Sequence, residues 1–431
     1  GANTTLAADS QYSLTGRNVD VVIMDSGVRW DHPEFLVPGT SSFSTKDDTR
    51  VRDILIHGAS EYGINWSSEG LVAPGTGTLA NYTEAKALGS SIGLYDYHGS
   101  HVAGTAAGNM FGAAFEANIW SIACIGRSDV GFSEPADGFD YIKVWHKNKP
   151  INPVTGRKNP TVVNCSWGFR QFFDNTSSYN LTFRGSSFTK TNVDSGPSAV
   201  PAVYYMSYGF GNYREFTSVK TTSQSEANEV ANDPDCKNLI FVCAAGNSSD
   251  KQEEFNGLDY NNEITSASFY YSSGYDAYFN RPGTPAITNH GKDNAWIIVG
   301  SIDSQRMSGS QERCSSFSNR GPAIDVWAGG SNILSPYLSL YAYDDPRDSN
   351  FKLEMISGTS MASPNVTGVI ATYLESNPDA DQAAVRKWLY EEGSTTVSSS
   401  DYYDAYQSNG ATDFNYWGVS HSLKSSRRRI L

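Results

Sequence analysis

Ser360 lies in Gly358-Thr-Ser-Met-Ala-Ser-Pro364, among small residues and ahead of an apolar periodicity. Ala362, Val366, Val369, Ile370, Tyr373 and Leu374 predict a helix from Met361 to Glu375. A hydroxyl at a helix N-terminus meets backbone N–H groups without intrahelical acceptors and the positive end of the dipole, both favourable to developing negative charge. Such a serine is a nucleophile or an ordinary helix cap, and the companions it finds elsewhere decide which. His98 and His101, in Asp96-Tyr-His-Gly-Ser-His-Val-Ala-Gly-Thr, open a helical pattern three residues apart. Both fall on one side of that helix, and either is a general base or a structural histidine. Asp25 ends the apolar run Val21–Met24 and precedes Ser26-Gly27. It is either a turn residue satisfying local N–H groups or an acid that fixes an imidazole tautomer. Asn247 follows Ala244-Ala245-Gly246, as a turn former or as a side-chain donor to an oxyanion. A serine, a base, an orienting acid and an oxyanion donor are the parts of nucleophilic acyl transfer.

These residues need a frame that brings them together. Short apolar runs at 19–24, 118–124, 161–164, 238–245, 295–300 and 324–327 read as strands. They alternate with helical patterns at 98–108, 134–147, 223–232 and 381–391. Strand–helix alternation predicts an α/β fold with a mostly parallel central sheet and helices on both faces. In such sheets the reactive crevice lies beyond the carboxyl ends of the strands, where Asp25 and Asn247 both fall. Three stretches, near 36–95, 169–218 and 250–290, resist the pattern and are expected as long loop insertions in a single domain 1–431.

The totals exclude several classes. A net charge of −14 argues against nucleic acid as a partner. The basic stretch ending in Arg427-Arg-Arg429, within a tail 419–431, reads as solvated. No 18-residue apolar run is present, so no membrane span is expected, and the protein is expected to be soluble, secreted or virion-associated. Five cysteines in 431 residues make no disulfide framework, and Cys124, Cys165 and Cys243 sit in apolar strand-like runs as small hydrophobes. Neither CxxC nor His-x-x-x-His spacing occurs, and no metal site is expected.

In the order Asp25, His98, Asn247, Ser360, these segments resemble the subtilisin-like serine proteases, the subtilases. Val-Val-Ile-Met-Asp25-Ser-Gly, His98-Gly-Ser-His-Val-Ala-Gly-Thr and Gly-Thr-Ser360-Met-Ala-Ser-Pro match the three signatures of that family. Ser13-Leu-Thr-Gly-Arg-Asn-Val and Ser315-Ser-Phe-Ser-Asn-Arg-Gly-Pro322 with Ile324–Gly329 extend the likeness. The resemblance implies a subtilisin-like fold and a serine endopeptidase. Ser360 would then attack the carbonyl, with His98 as general base and acid and Asp25 as its orienter. Asn247 and the Ser360 N–H would hold the oxyanion, and His101 would become structural. It further implies that Ser166-Trp167-Gly168 pairs with an extended polypeptide substrate, with Asp129-Val130-Gly131 facing it; the small residues Ala244, Ala245 and Gly246 would leave an open wall beside Asn247.

No cofactor is implied for the chemistry. Structural calcium occurs in the family, but Gly108-Asn-Met-Phe-Gly-Ala-Ala114, after the His helix, lacks carboxylates, and no ligands can be placed in the acidic insertions. Phe169-Arg-Gln-Phe-Phe173 after Ser-Trp-Gly lacks the acidic residues of the kexin-like branch and argues against a dibasic preference. With 24 residues before Asp25 the chain resembles a mature form, and a propeptide or inhibitor is the expected protein partner. The competing readings are a virion or assembly-associated structural protein with a latent protease fold, and a serine esterase or peptide ligase.

Overall fold

The computed structural model describes residues 14–73, 97–125, 137–168, 171–172, 179–190, 215–216, 218–219, 224–254, 257–269, 272–282, 296–304, 314–337, 342–394 and 422–423. The first strands are β1 (Asp20–Asp25), β2 (Val51–Asp53), β3 (Asn118–Ala123) and β4 (Thr161–Cys165). Next come β5 (Gln171–Phe172), β6 (Tyr179–Phe183), β7 (Ser186–Lys190), β8 (Glu215–Phe216) and β9 (Ser218–Val219). The middle of the chain adds β10 (Leu239–Ala244), β11 (Glu263–Phe269), β12 (Ser272–Tyr278), β13 (Ile297–Ile302) and β14 (Val326–Gly329). A hairpin unit β15 (Ile333–Tyr337), β16 (Tyr343–Asp345) and β17 (Asp348–Ile356) follows, and β18 (Gly393–Ser394) and β19 (Ser422–Leu423) close the set.

The central sheet runs β18-β19-β14-β13-β10-β4-β1-β3-β2. From β14 to β2 every pairing is parallel, β19 joins β14 in parallel, and β18 pairs antiparallel at the edge. The six residues of β1 are all buried, as a strand covered on both faces requires. Alternate residues serve opposite cores. Val21 and Ile23 pack with Val102, Ala106, Val366 and Ile370, whereas Val22 and Met24 pack with Phe139, Ile142 and Trp145. Helices Tyr97–Ala107, Thr359–Ser376 and Gln382–Glu392 therefore cover one face, and Ile54–Tyr62, Gly138–Asn148 and Gln224–Asn232 the other. On the second face Phe241 stacks on Trp296 with ring centroids 4.6 Å apart; burying one such side chain is worth about 1.5–3 kcal/mol.

Each of the six strands read from the sequence reappears within two residues of its expected start. Two features were not legible. Within 36–95, expected as an insertion, β2 completes an edge of the central sheet, and its three residues are too few to show a period. The stretches 169–218 and 250–290 meet in one antiparallel sheet of order β7-β6-β11-β12-β9.

Candidate active site

Three neighbouring strands end in candidate site residues. Asp25 is the last residue of β1, Ser166 follows β4, and Ala245-Gly246-Asn247 follows β10; β4 lies between the other two. Helix Tyr97–Ala107 is anchored directly on the turn after β1. Ser26 Oγ accepts the Gly99 N–H at 3.1 Å, capping the first helical turn from outside it. His98 Nδ1 meets Asp25 Oδ1 at 2.8 Å, with the Asp25 carboxylate fully buried and the His98 side chain 29% exposed. The same Asp25 oxygen accepts the Ser26 N–H at 2.8 Å. A carboxylate oxygen can only accept, so His98 carries its hydrogen on Nδ1 and, when neutral, offers the Nε2 lone pair.

His101 lies elsewhere. It is buried, and its Nε2 faces the carbonyls of Ile333 (3.0 Å) and Glu354 (3.2 Å) in the β15–β17 hairpin. Burial lowers its pKa to about 4. Equal sequence standing thus resolves into one histidine on Asp25 and one that pins the hairpin. The small residues of this helix serve the same packing: a Cβ on Gly104 would sit 2.3 Å from Pro336 Cδ, and Ala106 O would lie 2.4 Å from one on Gly368.

Ser360 is the second residue of helix Thr359–Ser376, one residue before Met361, whose N–H closes the first turn on the Gly358 carbonyl at 3.0 Å. Its Oγ lies 3.0 Å from the Ser166 carbonyl, to which it donates. Asn247 Oδ1 accepts both the Thr359 N–H (2.8 Å) and the Thr359 hydroxyl (2.9 Å). Thr359 Oγ1 in turn accepts the Gly246 N–H at 3.0 Å. A backbone N–H can only donate, so the amide orientation of Asn247 is fixed and its Nδ2 is presented away from this clamp. Asn319 holds the loop from behind, donating to Ala245 O at 2.9 Å and accepting the Ser248 and Asp250 N–H groups at 3.0 and 2.9 Å. Sequence reasoning missed Thr359 and Asn319, although the first adjoins Ser360 and the second lies in the quoted Ser315–Pro322 segment.

Trp167 Nε1 donates to Met24 O at 2.7 Å, tying the segment after β4 to β1; Gly168 is exposed. Asp129, Val130 and Gly131 lie outside the described residues. The loop after the His98 helix does not fit calcium: its Met110 and Phe111 N–H groups, at 2.7 and 2.9 Å, point at Glu34 Oε1. The other Glu34 oxygen pairs with Arg347 at 2.7 Å, so a guanidinium already faces this carboxylate. Among the described residues, no group of three or more His, Cys, Asp or Glu is placed to hold a metal ion, and no helix is long and apolar enough to cross a membrane.

A family model described as the Subtilase family matches residues 16–410, and the chain belongs to that family. The alkaline proteinase of Hapsidospora chrysogena is 25% identical over 288 residues, covering 67% of this chain and 45% of that protein. Alkaline serine exoprotease A of Vibrio alginolyticus is 25% identical over 349 residues, covering 78% and 44%. The chain thus spans less than half the length of these relatives. A solved cold-adapted subtilisin-like serine proteinase aligns over 90% of this chain and 87% of its own at 19% identity, with a TM-score of 0.45.

Proposed function

We propose that the protein is a serine endopeptidase whose nucleophile is Ser360. Asp25 orients His98 and stabilises its cationic form; the Ser360 hydroxyl, which donates to the Ser166 carbonyl in the free protein, turns to Nε2 and gives up its proton there as it attacks a peptide carbonyl. The same imidazolium then returns that proton to the leaving amine. Asn247 Nδ2 and the Ser360 N–H stabilise the oxyanion. The observation that carries this reading is the 2.8 Å contact of His98 Nδ1 with the buried Asp25, which supplies the tautomer that a general base needs. Support also comes from the clamp of Thr359 on Asn247, which aims a donor without spending it. Ser166-Trp167-Gly168 takes the substrate backbone as an added strand.

A fluorophosphonate probe tests the reading. Wild-type protein is expected to label on Ser360 and to cleave members of a random peptide library, with the products read by mass spectrometry. Folded protein that neither labels nor cleaves would favour a latent protease fold with a structural role; labelling with ester but no peptide hydrolysis would favour an esterase.

A further inference from the structure

Pro364 lies inside helix Thr359–Ser376, four residues after Ser360. Having no N–H, it leaves the Ser360 carbonyl without its intrahelical donor. Ser166 Oγ takes that place and donates to Ser360 O at 2.8 Å. A carbonyl can only accept, so the one hydrogen of the Ser166 hydroxyl is committed there. Asn164, in β4, contacts the same Ser166 Oγ at 2.9 Å and must therefore be the donor, through Nδ2. Its Oδ1 consequently faces the hydroxyls of Ser363 (2.7 Å) and Thr367 (3.0 Å), which donate to it. Asn164, Ser363 and Thr367 are fully buried, and Ser166 is nearly so. The orphaned carbonyl thus fixes every hydrogen in the chain of bonds from the helix to β4 and back to Ser360.

We propose that Asn164 is a positioning residue for Ser360, acting through the Ser166 hydroxyl; the proposal rests on Ser360 being the nucleophile. Asn164 Nδ2 holds the Ser166 hydroxyl as a donor to Ser360 O, and Ser360 Oγ donates back to Ser166 O at 3.0 Å. The two serines exchange bonds in both directions, so a change in the Ser166 hydroxyl is felt at the backbone that carries the attacking oxygen. Buried, fully satisfied networks of this kind hold one geometry. A merely structural Asn164 would contribute through Ser363 and Thr367, independently of Ser166.

A double-mutant cycle on the full chain separates these roles. Asn164→Asp keeps an acceptor for Ser363 and Thr367 and removes the donor to Ser166; Ser166→Ala removes the bridging hydroxyl. Each is expected to lower kcat on a peptide substrate at least about tenfold, toward the ~10²-fold that a 1 Å misplacement costs. The rate of fluorophosphonate labelling should fall in proportion, while KM changes by no more than about twofold because the Ser166 carbonyl remains. The double variant should lose no more than the worse single variant. Multiplying losses would overturn the proposal, as would wild-type kcat in either variant. If Asn164→Asp gives no cooperative melt, Ser166→Ala alone decides, since the proposed route passes through that hydroxyl. Wild-type protein that does not label overturns the protease reading and this inference with it.

Discussion

Gly99 follows His98 in the first helical turn, and a Cβ there would lie 2.2 Å from the Gly27 carbonyl oxygen, 3.0 Å from its carbon and 3.1 Å from its nitrogen. Side-chain carbons do not approach closer than 3.0 Å, so Gly99→Ala forces the helix and the 25–27 turn apart by at least 3.0 − 2.2 = 0.8 Å. Those two elements are the ones joined by the His98–Asp25 and Ser26–Gly99 bonds of 2.8 and 3.1 Å. Backbone atoms stand on both sides of the clash, so no side-chain rotation relieves it. A misplacement near 1 Å costs ~10²-fold in rate, or about 2.7 kcal/mol at 1.36 kcal/mol per tenfold. Helix propensity acts in the opposite sense, since alanine is favoured over glycine by about 0.8–1 kcal/mol. That gain offsets part of the overpacking cost of ~1–3 kcal/mol. Gly99→Ala should therefore lose activity out of proportion to stability. The assay is kcat/KM on a fluorogenic peptide chosen from the library products, beside thermal melting followed by circular dichroism. A variant within twofold of wild type in kcat/KM would show that the forced separation does not matter to His98.

Three other outcomes follow from the same geometry. Asn247→Leu should lower kcat ~10²–10³-fold with KM little changed, a magnitude that belongs to removal of an oxyanion donor in subtilisin and is carried over from it; steady-state kinetics checks it. His101 has its pKa lowered to about 4 by burial, so the unfolded chain binds the extra proton and stability should fall as pH drops from about 6.5 toward 4. The loss is about 1.4 kcal/mol per pH unit in that window, and urea titrations of wild type and His101→Gln should show the slope reduced in the variant. Arg347→Met strands the buried carboxylates of Glu34 and Asp345, which Arg347 meets at 2.7 and 2.6 Å. It should destabilise the fold by about 3–5 kcal/mol, read as a lower denaturation midpoint in urea.

Asp25, His98, Asn247 and Ser360 stand out in the sequence as candidates because each sits at a strand or helix end marked by small residues, and the order of the four is itself informative. The parallel sheet was legible because its strands, buried on both faces, read as unbroken apolar runs. Choosing between His98 and His101 from residue types alone was not feasible. The two differ in which distant element approaches them, the β1 turn or the β15–β17 hairpin, and neither partner is near in sequence. The same limit hid Asn164, whose partners Ser363 and Thr367 lie 199 and 203 residues away. The joint sheet of β6 and β11 was hidden because pairing between distant antiparallel strands leaves no mark in either segment.

Attack of Ser360 on the substrate carbonyl is tested by labelling. Wild-type protein and Ser360→Ala, each shown to be folded by its melting curve, are treated with a fluorophosphonate and digested for peptide mass spectrometry. One modified peptide, spanning Ser360, is expected in the wild type and none in the variant, with peptide cleavage lost at an almost unchanged melting temperature. Modification at a different residue, or full cleavage by Ser360→Ala, would contradict attack by Ser360.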